Sequence, residues 1–249
     1  MPVLSTDALT WRIGEVSIVD GVTVELHPGE FLGVIGPNGA GKTSLFNLIS
    51  GLHPATSGRV HLAGRDITRL TPHARARHGL GRTFQSSSVF GSLSVRENVR
   101  LAVQARAGGS SSLWRRADSY REVARRADEC LDTVGLLPRA DIDARTLSHG
   151  EKRVLEIALL LAGEPAVMLL DEPMAGVASA DVPALVEVIR QVSGTGDRAV
   201  IMVEHHMHVI LDLADRLAVM HHGALLACGT PDEVMADPVV QEAYLGEAL

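Results

Sequence analysis

Cysteine is scarce in this 249-residue chain, which has only Cys130 and Cys228. The two lie far apart, have no metal-ligand spacing, and are most simply explained by a reducing cytoplasmic compartment. The chain also lacks an excess of positive charge. Its formal net charge is −7, which argues against a nucleic-acid surface, because such surfaces usually have a basic stripe.

Long apolar runs are lacking as well. The most apolar stretch, residues 154–170, is interrupted by Glu156, Glu164 and Pro165. It therefore does not supply the ~20 apolar residues that a membrane span needs. The first residues, MPVLSTDALTWRIG, have neither the charged n-region nor the apolar h-region of a signal peptide. We expect a soluble protein, with other chains spanning the membrane if it works there.

Apolar residues make up 46% of the chain and charged residues 21%, which is an ordinary globular composition. The length of 249 residues fits one large domain or a domain with a subdomain. Residues 9–35 alternate as strands do, residues 87–162 show helical periodicity, and from Ala166 strands and helices alternate. The apolar strand 166–170 indicates a parallel sheet covered by helices. The other predicted strands are 60–62, 80–84, 199–203, 217–221 and 224–228, and the predicted helices are 42–51, 94–106, 115–134, 180–192, 206–214, 231–236 and 239–245.

A phosphate-binding loop is predicted at GPNGAGKT, which matches G-x-x-x-x-G-K-[ST] between a predicted strand and a predicted helix. Backbone N–H groups of such a loop wrap a β-phosphate, and the helix N-terminus favours anions. Lys42 is expected to reach the β- and γ-phosphates and Thr43 to bind Mg²⁺. A purely structural glycine turn is the alternative, which this context disfavours. The predicted binding residues are Gly36, Pro37, Asn38, Gly39, Ala40, Gly41, Lys42, Thr43 and Ser44.

Two adjacent carboxylates, Asp171 and Glu172, follow the apolar strand VMLL. Asp171 is placed to hold a Mg²⁺ shell, and Glu172 to orient or deprotonate an attacking water. A solvated turn would look the same in isolation. Beside a phosphate loop, the catalytic interpretation is favoured.

The segment TLSHGEKRVLEIA at residues 146–158 begins an amphipathic run with the S-x-x-E spacing of a capping box, formed by Ser148 and Glu151. A helix N-terminus with a serine hydroxyl and with Gly150, which permits close approach, is also suited to an anion. The two interpretations are compatible, because amides beyond those satisfied by the box can still face a phosphate.

Five motifs, GPNGAGKT, RTFQ, LSHGE, LLDEP and VEH, occur in an order and spacing that resemble the nucleotide-binding subunits of ATP-binding cassette (ABC) transporters over about residues 9–246. The resemblance implies a P-loop α/β fold with an antiparallel β subdomain and an inserted helical subdomain. The helical subdomain would be 87–162, and 1–86 with 163–249 would form the ATPase core and the C-terminal helices. The cofactors so implied are ATP and Mg²⁺.

By that resemblance, LSHGE corresponds to the signature motif, normally LSGGQ. Ser148 and Gly150 would contact the γ-phosphate of ATP held by the other subunit of a head-to-tail dimer. Gln85 would link Mg²⁺ and water to the helical subdomain, and His205 would be the switch histidine near the γ-phosphate. The local sequence around Gln85 does not by itself indicate a function for this residue.

The chain departs from the family pattern where an aromatic residue normally stacks on adenine, since Ile13 stands there. Trp11 is two residues away, on the same strand face by period two, and could substitute. With Ile13 alone the adenine contact would be apolar only. Ala178 stands where the family usually has Asp or Asn between the two ATP sites, and Asp181 could take part of that role.

The signature itself also varies, with His149 and Glu151 in place of Gly and Gln.

The neighbouring histidines His205, His206 and His208, with a later pair at 221–222, raise the possibility of a metal cluster. Adjacent strand-end residues point in different directions, and no ligand-like spacing supports a metal site. Solvated side chains at positions 206 and 208 are the default expectation.

Three segments, at 82–106, 147–162 and 229–247, look like ATP-binding subunits of branched-chain amino acid uptake systems, a group that includes urea and short-amide importers. The resemblance implies ATP hydrolysis that drives import. The partners would be an identical or paralogous cassette, integral-membrane permeases and, indirectly, an extracytoplasmic solute-binding protein. The location would be peripheral, on the cytoplasmic face of the inner membrane.

Four alternatives remain open. They are an importer of urea or amides, a cassette that moves lipid, a soluble cassette ATPase acting on DNA or ribosomes, and an ordinary P-loop kinase or GTPase. The DNA or ribosome alternative predicts long coiled coils or tandem cassettes and a basic face, against one cassette and a net charge of −7 here. A kinase or GTPase would leave LSHGE unexplained.

Overall fold

The computed structural model describes residues 1–83, 89–106, 117–194, 196 and 198–245. These residues form two compact units. The first comprises the described residues of 1–82, 166–172 and 195–249, and the second those of 83–165 and 173–194. Our division at 162/163 differs from these units, because residues 173–194 cluster with the helices. The helix within residues 173–194 packs against the helix that begins in the LSHGE motif.

The first unit contains a four-stranded antiparallel sheet in the order β2-β1-β4-β5. Its strands are β1 (Leu4–Ile13), β2 (Val16–Leu26), β4 (Ser57–Leu62) and β5 (Arg65–Asp66). β1 and β2 form a hairpin whose last pair is Ile13 and Val16. This hairpin places the predicted adenine-contact residues at or near its turn, which is formed by residues 14–15.

The second sheet of this unit has six strands in the order β10-β9-β3-β8-β7-β6. Its strands are β3 (Phe31–Ile35), β6 (Leu80–Arg82), β7 (Val167–Asp171), β8 (Ala199–Val203), β9 (Arg216–His221) and β10 (Ala224–Gly229). All neighbours pair in parallel except β9 and β10. Every residue of β3, β7 and β8 is buried, as expected of a parallel sheet covered on both faces. The carboxyl ends of these strands therefore meet at one edge, where ligands bind in such sheets.

The helices of the first unit are α1 (Lys42–Ser50), α2 (Pro72–Arg77), α7 (Met207–Leu213), α8 (Pro231–Ala236) and α9 (Pro238–Leu245). α1 is the first element after β3, to which a loop at residues 36–41 joins it, and it packs against β7. Its buried Phe46 and Leu48 belong to one apolar core that includes residues of both sheets, such as Leu26 and Leu169. The core thus fixes α1 beside β7, the strand that ends at the first of the two predicted carboxylates.

The second unit is helical, with α3 (Val95–Arg106), α4 (Ala117–Thr133), α5 (His149–Ala162), α6 (Val182–Ser193) and two 3₁₀ turns at Leu137–Arg139 and Ala144–Thr146. α5 packs against α3, α4 and α6. Within the described part of the chain, no helix combines the length and the apolar character needed to cross a membrane.

Candidate active site

The phosphate loop joins β3 to α1, and its glycines have backbone conformations that other residues rarely adopt. Gly36 has φ 150°, and Gly41 has φ 95°. A Cβ on Gly36 would lie 2.2 Å from the carbonyl oxygen of Met220, and one on Gly41 would lie 2.7 Å from that of Ile18. Glycine is therefore required at both positions. Gly41 also caps α1 without a side-chain hydrogen bond, so the helix begins with its N–H groups available to an anion.

Lys42 is buried, and its Nζ donates to the carbonyl oxygens of Gly36 at 2.6 Å and Pro37 at 2.9 Å. Burial lowers the pKa of this ammonium, and the nearby charge of Glu172 opposes that shift. The amine is therefore folded back into the loop it belongs to. Phosphate oxygens would be stronger acceptors than these neutral carbonyls, because charge-assisted hydrogen bonds are the stronger class.

Asp171 ends β7, where it is buried and forms an ion pair with Arg82. Arg82 Nη2 donates to Asp171 Oδ2 at 2.7 Å. Burial raises the pKa of the Asp171 carboxyl, and the Arg82 guanidinium acts in the opposite direction. Arg82 is a site residue that the sequence analysis missed. It lies in the predicted strand 80–84 and begins the RTFQ motif, but no local pattern pairs it with Asp171, so only the fold reveals the contact.

Glu172 follows directly and is held in a strained backbone conformation with φ 47°, unusual for a residue with a side chain. Such a conformation costs about 1–3 kcal/mol and is typical of functional sites. The Glu172 N–H donates to Val203 O at 2.9 Å, which ties it to the end of β8. Its Oε1 lies 3.0 Å from His205 Nε2. The structure thus brings together two residues that were predicted from separate motifs.

Thr43 and Asp171 are two of the three predicted ligands of the implied Mg²⁺ ion. Thr43 lies in the first turn of α1, and Asp171 ends the strand against which α1 packs. A hydroxyl and a carboxylate are hard oxygen donors of the kind Mg²⁺ prefers, so these residues fit the implied ion. Gln85, the third predicted ligand, lies outside the described residues.

The capping box predicted at the signature segment is confirmed. Ser148 Oγ accepts from Glu151 N at 3.1 Å, and Glu151 Oε2 accepts from Ser148 N at 2.8 Å. The Ser148 hydroxyl proton is not used by this cap, so the same oxygen can still donate to an anion. Glu151 also forms an ion pair with Arg139, which fixes its side chain.

Gly150 has a structural role within its own unit that the sequence did not suggest. A Cβ at this position would lie 2.9 Å from Asp181 Cβ and 3.1 Å from Asp181 Oδ2. A Cβ on Gly176 would similarly lie 3.4 Å from His149 Cδ2. The start of α5 therefore packs closely against the loop before α6, and Asp181 lies beside the signature segment. That Asp181 takes part of the role of the Asp or Asn usually found where this chain has Ala178 stays a prediction.

Ile13 and Trp11 differ in their surroundings. Ile13 is 58% exposed at the end of β1, next to the equally exposed Val16. Trp11 is half-buried and stacks on His53, with ring centroids 4.6 Å apart and an interplanar angle of 10°. One face of the indole is therefore already covered. Which of the two contacts adenine stays a prediction.

Glu204 is a second residue that sequence reasoning missed. Its buried carboxylate lies 2.5 Å from His206 Nδ1 and accepts from the His205 N–H at 3.2 Å. His206 is half exposed, and its ring meets that of His208 edge-on. Among the described residues, no three His, Cys, Asp or Glu side chains are grouped as metal ligands. The buried carboxylate of Glu204 thus holds the His206 ring, whereas the His205 ring contacts Glu172.

The family model described as "ABC transporter" matches residues 19–175. The chain is also 37% identical over 254 residues to the high-affinity branched-chain amino acid transport ATP-binding protein LivG of Escherichia coli (strain K12), with 99% of both chains covered. The chain belongs to the ABC transporter family. The resemblance read from its five motifs and the α/β cassette fold inferred from it are both confirmed.

Other similarities of this ABC cassette cover nearly its full length or its C-terminal segment. A model described as "Branched-chain amino acid ATP-binding cassette transporter" matches residues 224–249. The lipopolysaccharide export system ATP-binding protein LptB of Escherichia coli (strain K12) is 36% identical over 233 residues, covering 92% of this chain and 91% of LptB. An ATP-binding cassette of an ABC transporter, solved in its ADP conformation, has a TM-score of 0.84 at 30% identity, covering 99% of this chain and 100% of that one.

Proposed function

We propose that this cassette binds and hydrolyses ATP to drive the import of branched-chain amino acids. The observation that supports hydrolysis most directly is the contact between Glu172 and His205, located at the same sheet edge as the phosphate loop. A carboxylate in a strained conformation, next to a histidine, is suited to positioning and activating a water molecule.

In the proposed reaction, backbone N–H groups of the phosphate loop and of the first turn of α1 surround the phosphates, and Lys42 turns from its carbonyl partners to the β- and γ-phosphates. Glu172 orients the attacking water and accepts its proton as the water oxygen bonds to the γ-phosphorus and ADP leaves with the bridging oxygen. His205 contacts the γ-phosphate and holds the Glu172 carboxylate. Thr43, Asp171 and Gln85 would hold Mg²⁺, which would supply positive charge beside the phosphates. The adenine would lie against Ile13 or Trp11.

Two cassettes would share each ATP. We propose that Ser148 and Gly150 contact the γ-phosphate bound by a second, identical or paralogous subunit. The support for this is the geometry of the cap, which satisfies the Glu151 N–H while leaving the Ser148 hydroxyl proton to donate. Closure of such a dimer around ATP would be a ligand-driven population shift.

The remaining partners would be integral-membrane permeases and, through them, an extracytoplasmic solute-binding protein. The cassette would lie at the cytoplasmic face of the inner membrane. The name of LivG, which is similar over the whole chain, supports this assembly. The 87–162 region is the proposed helical subdomain that contacts the permeases.

The match of residues 224–249 favours branched-chain amino acids over lipid as the transported class, although LptB is similar over much of the chain. The test is uptake of radiolabelled leucine, isoleucine, valine, urea and acetamide by cells that lack this gene. Complementation with wild type should restore uptake of the three amino acids, whereas complementation with Glu172→Gln should not.

Restored uptake of urea or acetamide alone would contradict the proposed solute and identify the protein as part of a urea or amide importer. Unchanged uptake of all five solutes, with purified cassette found free of membrane proteins, would instead favour a soluble ATPase outside transport. Co-purification of the native complex with two permeases would support the importer assembly and argue against that alternative.

A further inference from the structure

Arg82, at the end of β6, joins two parts of the proposed nucleotide site. Its side chain is 8% exposed. Nη1 donates to Asn47 Oδ1 at 2.8 Å and to Ser50 Oγ at 2.7 Å, and Nη2 donates to Asp171 Oδ2 at 2.7 Å. The guanidinium carbon lies 5.8 Å from the Phe46 ring centroid. One guanidinium thus contacts the last two turns of α1 on one side and the end of β7 on the other.

The buried ion pair of Arg82 and Asp171 is expected to add little to the free energy of unfolding. A buried ion pair is often no more stable than apolar residues of the same volume, because both charges must leave water. What the ion pair can provide is a fixed orientation of its partners, because the planar guanidinium of arginine has fixed directions for its N–H groups. Here those directions fix one oxygen of Asp171 relative to α1.

We propose that Arg82 is a positioning residue for the magnesium ion, and this inference rests on the proposed function. α1 begins at Lys42 and Thr43, and its C-terminal half is anchored to Arg82 through Asn47 and Ser50. Arg82 therefore sets how the Asp171 carboxylate is oriented relative to the helix that presents the Thr43 hydroxyl. Residues that orient metal ligands typically change metal affinity by about 10–100-fold when removed.

The alternative role for Arg82 is purely structural, as a brace between β6 and α1. The two roles predict different responses to metal. A brace affects stability and nucleotide binding whether or not Mg²⁺ is present. A positioning residue affects the Mg²⁺ concentration at which binding is strengthened, with little effect in the absence of metal.

The experiment measures binding of a fluorescent ADP analogue by the full chain, in EDTA and across a Mg²⁺ series. The variants are Arg82→Gln, which removes the charge and the fork, and Arg82→Lys, which keeps the charge. Arg75→Gln is the matched control, because it removes another buried guanidinium of the same unit that donates to the backbone of Leu48 and Ile49. Mn²⁺ electron paramagnetic resonance with ADP gives a second readout of the metal.

Arg82→Gln should raise the Mg²⁺ concentration for half-maximal effect by about tenfold or more, with binding in EDTA unchanged within about twofold. Arg82→Lys should have a smaller shift, and Arg75→Gln should keep the wild-type Mg²⁺ dependence. Wild-type Mg²⁺ dependence in both Arg82 variants would overturn the inference, and so would an equal loss with and without metal. Absence of nucleotide binding by the wild-type chain would instead overturn the proposed function itself.

Discussion

His205 Nε2 lies 3.0 Å from Glu172 Oε1, although the two residues are 33 positions apart in the chain. The contact exists because β7 and β8 are parallel neighbours, with Asp171 paired to Val203 at their carboxyl ends. Each residue leaves its strand at the same edge of the sheet, and the left-handed backbone of Glu172 directs its side chain there. The histidine therefore holds the carboxylate that we propose as the catalytic base.

His205→Ala should lower ATP turnover by about 10²–10⁴-fold while leaving ADP affinity within about twofold of wild type. The expected split arises because the phosphate loop is untouched and ADP lacks the γ-phosphate that His205 is proposed to contact. Steady-state hydrolysis and titration with a fluorescent ADP analogue measure the two quantities. His208→Ala, on the exposed side of α7, is the control and should resemble wild type. Equal losses in turnover and affinity for His205→Ala would place this histidine in binding.

Glu172→Gln should bind ATP without turning it over, because the amide keeps the shape of the side chain but does not accept a proton from water. With hydrolysis blocked, ATP should hold two subunits together, so light scattering after size exclusion should give a dimer in ATP and a monomer in ADP. A variant that stays strictly monomeric in ATP would count against the shared site.

Lys42→Ala should abolish binding of a fluorescent ATP analogue, because it removes the one ammonium that the phosphate loop encloses. Lys152 is the only other lysine of the chain, so Lys152→Ala is the matched control and should bind as wild type does. Binding by Lys42→Ala at the wild-type affinity would contradict the assignment of the phosphate loop.

The features that could be predicted from the sequence are those encoded within a few neighbouring residues. GPNGAGKT specifies the turn, the close approaches and the helix start, and the S-x-x-E spacing specifies a cap that forms as expected. The short helix α2 was also predictable, since Thr71 caps it and Pro72 occupies its first position, but we did not assign it.

The features that could not be predicted depend on contacts between distant positions. Arg82 and Asp171 are 89 residues apart, and Arg75 reaches back 27 residues to Leu48. Local periodicity says nothing about such pairs, because their partners are set by sheet order and helix packing. The strained φ of Glu172 has no local signal either, since the position is not a glycine. Tertiary structure alone determines it.

Arg75→Met should destabilise the first unit by at least about 3 kcal/mol, because it removes a buried side chain whose hydrogen bonds satisfy four carbonyl groups. Arg75 is 2% exposed, and its guanidinium donates to the carbonyl oxygens of Leu48, Ile49, Thr68 and Leu70. For a chain of this size the melting temperature should fall by roughly 6–12 °C, measured by circular dichroism. Arg77→Met, at an exposed position of the same helix, should melt within about 2 °C of wild type. Similar melting of both variants would contradict the role given to Arg75.

Ser148 allows its cap and its proposed phosphate contact to be separated with two substitutions. Asp and Asn both cap helices about as well as Ser does, so Ser148→Asp and Ser148→Asn should each keep the stability of α5. A carboxylate at this position is stabilised by the helix N-terminus but repels a phosphate approaching from another subunit. The two variants therefore differ in charge at the helix end while sharing the cap.

Ser148→Asp should consequently bind nucleotide as a monomer with wild-type affinity, yet lose ATP-dependent dimerisation and at least about tenfold of its turnover, because like charges that meet at an interface cost several kcal/mol. Ser148→Asn should retain most of both activities. Thermal melting, nucleotide titration and light scattering in ATP provide the three readouts. Should Ser148→Asp dimerise and hydrolyse ATP as well as Ser148→Asn does, this end of α5 faces no phosphate, and Ser148 serves its own helix alone.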